Sequence, residues 1–199
     1  MSKLYYKYGV MGSSKTASAL MCKFNYEQQG FRVLLLKADL DNRDLVGGNI
    51  IVRSRIGLSS SCVTFNKNEN LNELFCKLNA NNDYDVIIVD ECQFLTKKQV
   101  EQLKNLSIEY TVLCYGLLTD FKTELFEGSK RLVELADSLQ ELKSVCTCGR
   151  KANVNARFIN GELSTEGDVV AIEKGVVNYQ PMCYICYCKL LKAKENKNV

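Results

Sequence analysis

Lys3-Leu4-Tyr5-Tyr6-Lys7-Tyr8-Gly9-Val10-Met11-Gly12-Ser13-Ser14-Lys15-Thr16 is the stretch on which the fold turns. Lys3 to Tyr8 is rich in aromatics and ends at Gly9, which reads as a β-strand. From Lys15 to Gln29, Ala17, Leu20, Met21 and Phe24 recur at helical spacing, and Gly30 ends the run. Between strand and helix, Gly9 to Thr16 has the context that a phosphate-binding loop requires. In such a loop the backbone N–H groups and the helix N-terminus present partial positive charge to an anion. Lys15 would reach the β- and γ-phosphates of a nucleotide, and the Thr16 hydroxyl would ligate Mg²⁺. The common pattern, G-x-x-x-x-G-K-[ST], has Gly where this chain has Ser14. If the backbone is strained there, Ser costs on the order of 1–3 kcal/mol. The plain alternative is an ordinary strand-to-helix turn.

Further strands are expected at Phe31–Lys37, Tyr84–Val89 and Thr111–Tyr115, apolar enough to be buried on both faces. Helical patterns cover Asn70–Asn79, Thr96–Leu106 and Gly128–Glu141, the last with Leu132, Leu135, Ala136 and Leu139 turned inward. Residues 40–62, with Gly47, Gly48, Gly57 and serines at 59–61, read as loop. Strands alternating with helices imply an α/β fold, a parallel sheet covered on both sides. After Leu142 the character changes to cysteine pairs, glycines and short strand-like pieces such as Asn153–Phe158. A boundary is placed near residue 143: a nucleotide-binding unit at 1–142, a metal-binding unit at 143–192 and a disordered tail at 193–199, where Lys192–Lys197 is frayed and solvated.

Val86-Ile87-Ile88-Val89-Asp90-Glu91 complements the loop. An acid at the end of a buried strand would hold Mg²⁺, directly or through water, which is the task read for Asp90. Glu91 is then free to take a proton from an attacking hydroxyl or water. An Asp-Glu pair alone is common on surfaces; it gains meaning from the strand before it and from Gly9–Thr16. The pair does not separate hydrolysis from transfer.

The 199 residues suit one α/β domain with a small appendage, and 46% hydrophobic content is enough for a core. A net charge of +3, from 26 basic and 23 acidic residues, is too small to argue for nucleic acid. No apolar run approaches a membrane span and Met1–Lys7 has no export signal, so a cytoplasmic protein is expected. The absence of histidine excludes the usual Ser-His-Asp and Cys-His systems and His-ligated catalytic metals, leaving a carboxylate as general base. Of ten cysteines, Cys22, Cys62, Cys76, Cys92 and Cys114 read as small buried hydrophobes. Cys146, Cys148, Cys183 and Cys186 form a C-x-C and a C-x-x-C pair, able to supply four thiolates to a closed, structural Zn²⁺. Cys188 could stand in for Cys186, and free thiols or a redox pair are the alternatives.

These motifs together resemble the thymidine kinases shared by many bacteria, animals and large DNA viruses. The resemblance covers nearly the whole chain: LYYKYGVMGSSKT at the start, FRVLLLKADLDNRD at 31–44, SRIGL at 54–58, IIVDECQFL at 87–95, CYGLLTDFKTELFEGSKRLVELAD at 114–137, CTCGRKANVNAR at 146–157 and YQPMCYICY at 179–187. It implies a P-loop kinase unit, a small zinc-ribbon-like unit carrying a base-covering loop called the lasso, and ATP-dependent phosphorylation of the 5′-hydroxyl of thymidine and deoxyuridine. It places Glu91 as the base and Asp90 on Mg²⁺. Gly9 to Thr16, Asp90, Glu91, Cys92 and Gln93 are implied to bind ATP. Met11, Phe94, Leu117, Phe121, Val169, Ile172 and Tyr179 are implied to contact the nucleoside, with Ala171 an alternative to Val169 and Ile172 because the stretch to Tyr179 is about one residue longer than usual, and Arg43 is implied near the phosphates. Cys146, Cys148, Cys183 and Cys186 fall on the four zinc ligands, and a homotetramer is implied. The chain departs from the family at Ser14, at Glu173-Lys174 where Gly-Gly is usual, and at Tyr184 where a basic residue is usual. Two other functions remain open: an ATPase in which Glu91 activates water, and a degenerate homologue that only binds nucleotide.

Overall fold

The computed structural model describes residues 3–39, 45–46, 49–168 and 176–196, with only the backbone at Leu45, Val46, Asn49 and Glu195. In chain order the elements begin with β1 (Leu4–Tyr8), α1 (Lys15–Gln28) and β2 (Val33–Ala38). A short antiparallel sheet follows, made of β3 (Leu45–Val46), β4 (Asn49–Arg53) and β5 (Ser59–Ser61). Then come β6 (Val63–Phe65), α2 (Leu71–Leu78), β7 (Val86–Asp90), α3 (Lys97–Leu106), β8 (Thr111–Gly116), α4 (Glu127–Leu135) and β9 (Ser138–Glu141). The C-terminal part has β10 (Val154–Ile159), β11 (Glu162–Ser164), β12 (Val177–Met182) and α5 (Tyr184–Glu195).

Among the described residues, six strands form the main sheet in the order β6-β2-β7-β8-β1-β9, and every pairing in it is parallel. The alternation along each strand divides the core between two faces. Leu34, Leu36, Ile87, Val89, Val112 and Cys114 meet α2, α3 and α4 through Leu71, Phe75, Val100, Leu103 and Leu132. Val33, Leu35, Val86, Ile88 and Leu113 meet α1 through Ala19 and Leu20, joined by Val52 of β4. Burying such a Leu or Ile stabilises the fold by about 1.5–3 kcal/mol relative to exposure. Local signals agree with the packing. Asn70 Oδ1 accepts from the Asn72 and Glu73 N–H groups to start α2, and Thr96 and Gln99 form a reciprocal capping box at α3.

Because the strands are parallel, the carboxyl ends of β1 and β7 open at the same edge, with β8 between them. Crevices outside such strand ends are where α/β sheets bind ligands. A separate antiparallel sheet, β11-β10-β12, follows the main sheet.

Four expectations are corrected. Residues 40–62 are not all loop, since β4 and β5 pair within them. Ser54 closes that hairpin, its hydroxyl donating to the Leu58 carbonyl at 3.2 Å and accepting from the Leu58 N–H at 3.0 Å. Gly128–Glu141 is not one helix. α4 stops at Leu135, Ala136 turns extended at ψ 139°, and β9 pairs with the otherwise open edge of β1. Asp137 fixes that junction by accepting from the Leu4 N–H at 2.8 Å, and Leu139 is left exposed rather than inward. Residues 193–195 continue α5 instead of fraying. Among the scattered cysteines only Cys92 and Cys114 are buried; Cys22 and Cys62 are half-buried, and Cys76 is exposed.

Candidate active site

The loop after β1 is shaped by residues that only partly match the common pattern. A Cβ on Gly9 would lie 2.3 Å from the Leu142 carbonyl oxygen and 2.5 Å from Ser13 Oγ, so the close approach of this backbone requires glycine. Val10 packs against Cys146, Ala152 and Cys183. The Met11 N–H donates to Asn155 Oδ1 at 2.7 Å, and the Ser13 N–H donates to the Val10 carbonyl at 3.2 Å. Gly12 has φ +74°, and Ser14, at φ 59° and ψ 27°, is also left-handed. Ser14 precedes α1 without its side chain capping it. The first-turn N–H groups of a helix have no intrahelical acceptor, so this end of α1 keeps its affinity for anions. Lys15 Nζ donates to the Val10 carbonyl at 2.8 Å. Burial pulls the Lys15 pKa below its ordinary value, while Glu91 and Asp90 oppose that shift.

Asp90 ends β7 on the face that meets α1, and it is 3% exposed. Burial, and then the charge of Glu91, push its pKa up to about 7; a hydrogen bond from Thr16 and the nearby Lys37 work in the other direction. Lys37 is the register partner of Asp90 across β2 and β7 and is itself buried. Glu91 adopts φ 54° and ψ 38°, a conformation that L-residues rarely take outside constrained sites. Gln93 Nε2 donates to Glu91 Oε2 at 2.6 Å, and Gln93 Oε1 accepts from the Leu117 N–H at 3.0 Å. One buried amide therefore ties the acid to the end of β8. The Cys92 side chain is fully buried in the core, which leaves only its main chain for the site.

The residues expected to contact a nucleoside lie on several elements. Leu117 follows β8, 6% exposed, and its carbonyl accepts from the Tyr6 and Ser129 hydroxyls at 2.8 and 2.6 Å. Phe94, half-buried, meets Phe126 edge-to-face with ring centroids 6.0 Å apart. Phe121 is 2% exposed, with the Arg157 guanidinium 3.5 Å from its ring centroid. Tyr179 is half-buried on β12 and Met11 half-buried on the loop. Val169, Ala171, Ile172 and Arg43 lie outside the described residues. Sequence reading passed over Lys37, Asn155 and Arg157. The only available signal was a polar residue inside a strand otherwise reading as buried.

The four cysteines Cys146, Cys148, Cys183 and Cys186 converge, with all four Sγ atoms within 4.8 Å of one another and Cys148 Sγ 3.6 Å from Cys183 Sγ. A tetrahedral zinc with Zn–S distances of about 2.3 Å needs sulfurs about 3.8 Å apart, so the cage fits that ion. Backbone N–H groups of Cys148 and Cys183 hold the Cys146 thiol down to about 6. Cys186, facing Cys148 and Cys183, is pushed up to about 12. Four thiolates this close need a cation among them to ionise together. Cys183 also accepts from the Cys186 N–H at 3.5 Å, which starts α5. Cys188 does not belong to this group of four.

A family model described as "Thymidine kinase" matches residues 2–187. Curated proteins named "Thymidine kinase" are similar over nearly the full length. The one from Shewanella oneidensis is 42% identical over 186 residues, covering 92% of this chain and 95% of that protein. The one from Yersinia pestis is 41% identical over 196 residues, covering 97% and 98%. The one from Vibrio vulnificus is 44% identical over 175 residues, covering 86% and 90%.

Proposed function

The chain belongs to the thymidine kinase family, and from that membership we propose that it moves the γ-phosphoryl group of ATP to the 5′-hydroxyl of thymidine, and of deoxyuridine. Its kinase activity on nucleosides follows from the family; the donor, the acceptor and the residue roles are our reading.

The triphosphate lies in the loop from Gly9 to Thr16, against the N-terminus of α1. Lys15 leaves the Val10 carbonyl to which it now donates and meets the β- and γ-phosphates. Thr16 and Asp90, already hydrogen-bonded to each other, hold Mg²⁺, which offsets the negative charge gathering on the phosphates. Glu91 accepts the proton of the 5′-hydroxyl as that oxygen forms its bond to the γ-phosphorus. The bond from that phosphorus to the bridging oxygen breaks, and ADP leaves with the electron pair. Gln93 keeps the Glu91 carboxylate aimed, which matters because a base must stay within hydrogen-bond reach of its proton. Met11, Phe94, Leu117, Phe121 and Tyr179 line the acceptor side; Val169 and Ile172, outside the described residues, are assigned to it from the family resemblance alone. Arg43, outside the described residues, is assigned to the phosphates from the family resemblance alone. A buried methyl contact would favour thymine over uracil by only about 1 kcal/mol. The four cysteines hold Zn²⁺ structurally. In this reading residues 1–142 carry the nucleotide and residues 143–192 close over the nucleoside.

The observation that carries this reading is the convergence at one sheet edge of a lysine-bearing loop, a buried Asp90 hydrogen-bonded to Thr16 and a second carboxylate held by its own hydrogen bond. ADP release measured with and without thymidine and Mg²⁺ tests it. Release that needs both supports transfer to a nucleoside. Release without nucleoside would make the protein an ATPase, and no release under any condition would make it a binding homologue.

A further inference from the structure

β10 carries two buried polar side chains, Asn155 and Arg157, two positions apart and so on one face of the strand. Their partners belong to different loops. Asn155 accepts from the Met11 N–H of the phosphate loop at 2.7 Å and donates to the Thr119 carbonyl at 2.9 Å. Arg157 lays its guanidinium over Phe121, 3.5 Å from the ring centroid. It also donates to the Asp168 carbonyl and Ser164 Oγ, each at 3.0 Å, and to the Glu166 carbonyl. Directly opposite Arg157 in the antiparallel pairing with β12 stands Tyr179, so the two side chains share a face.

Arg157 is 1% exposed. Taking a guanidinium out of water is unfavourable, and an apolar side chain of similar volume generally serves a core as well or better. Arginine is distinguished by a rigid planar fork that can stack on a ring while bonding several oxygens at once. Here the fork spans a ring from the loop after β8 and the turn that follows β11.

We propose that Arg157 is a positioning residue for the acceptor nucleoside: it fixes the plane of Phe121 and locks that ring to the Ser164–Asp168 turn and to the strand bearing Tyr179. β10, the strand that carries Arg157, also holds the phosphate loop through Asn155, so donor side and acceptor side are set from one rigid element. The proposal rests on Phe121 and Tyr179 contacting the nucleoside.

Steady-state kinetics on the full chain, varying thymidine and ATP separately, test it with Arg157→Met, Arg157→Lys and Phe121→Leu. Zinc content and Tm are measured alongside. Arg157→Met is expected to raise the KM for thymidine about tenfold and to leave the KM for ATP within about twofold. Arg157→Lys, which keeps a cation over the ring but loses the fork, is expected to fall between Arg157→Met and the parent. Parallel changes in both KM values, or no change in either, would overturn the proposal. Should Arg157→Met lose its zinc or its fold, the lysine variant decides by the same selective rise in the thymidine KM. Phe121→Leu separates the two layers. If it leaves the thymidine KM unchanged, the reading of the nucleoside pocket fails. If it raises that KM and the Arg157 variants do not, only the positioning role fails.

Discussion

Ser14 holds φ 59° and ψ 27° at the start of α1, a left-handed conformation in which glycine lacks the Cβ crowding that an L-residue meets. Ser14→Gly removes that crowding at a cost in unfolded-state entropy. It is expected to stabilise the protein by about 0.5–1 kcal/mol, read as a higher Tm, and to leave the KM for ATP equal or lower. A lower Tm would mean that the serine hydroxyl contributes more than its backbone costs. Asp90 makes a second residue-scale case, this time through pH. Its carboxyl titrates at about 7 in the fold, against 3.8 as the ordinary value, chiefly because it is buried. Between those values the folded chain binds the proton and the unfolded chain does not. Stability from this group is therefore fully present below about pH 4 and declines as pH rises toward 7. Without magnesium and nucleotide, thermal melts from pH 5 to 8 should show that decline, and Asp90→Asn should flatten it. An unchanged slope in the variant would place the titration elsewhere.

At the scale of elements, the site depends on how closely the end of β8 approaches the 3-10 turn Cys92–Phe94 after β7. A Cβ on Gly116 would lie 2.6 Å from both Cys92 Sγ and Gln93 Oε1, and 3.0 Å from Gln93 N. Gly116→Ala must therefore push the turn away and disturb the Gln93–Glu91 bond. Destabilisation of about 1–3 kcal/mol is expected in denaturant titrations, together with a lower kcat. What could be read from the chain divides along physical lines. β2, β7 and β8 were legible because continuous apolar runs bounded by turn residues fit little else, and β1 because its aromatics stop at Gly9. The loop at 9–16 and the acids at 90–91 were legible because they sit at the ends of such runs. β9 was not: Ser138–Glu141 continues the helical periodicity of α4, and only the open edge of β1 turns it into a strand. β4 and β5 were hidden by surrounding Gly and Ser, since their pairing is decided by the Ser54 turn and by Val52 packing beneath α1. Asn155 and Arg157 were hidden for another reason: a polar residue in a strand shows its purpose only when its partner loop is known.

Across the whole molecule, the cysteine cage and the phosphate loop are one structure. Val10 packs on Cys146 and Cys183, and the Met11 N–H is held by Asn155 of β10. Disturbing the cage should therefore reach nucleotide binding. Cys183→Ser is expected to abolish stoichiometric zinc, lower the Tm and raise the KM for ATP, checked by metal analysis and kinetics. Full zinc content in the variant would refute the ligand set. The cysteine cage and β10 thus meet the loop proposed to bind the phosphoryl donor, while the chemistry itself is assigned to the carboxylate of Glu91, placed by its left-handed backbone and by Gln93. Single-turnover transfer from ATP to thymidine by Glu91→Gln, with nucleotide affinity measured on the same sample, tests that assignment most directly. The rate is expected to fall by roughly 10²–10⁴ while ATP binds within about threefold of the parent; transfer at a near-parental rate would contradict that role for Glu91.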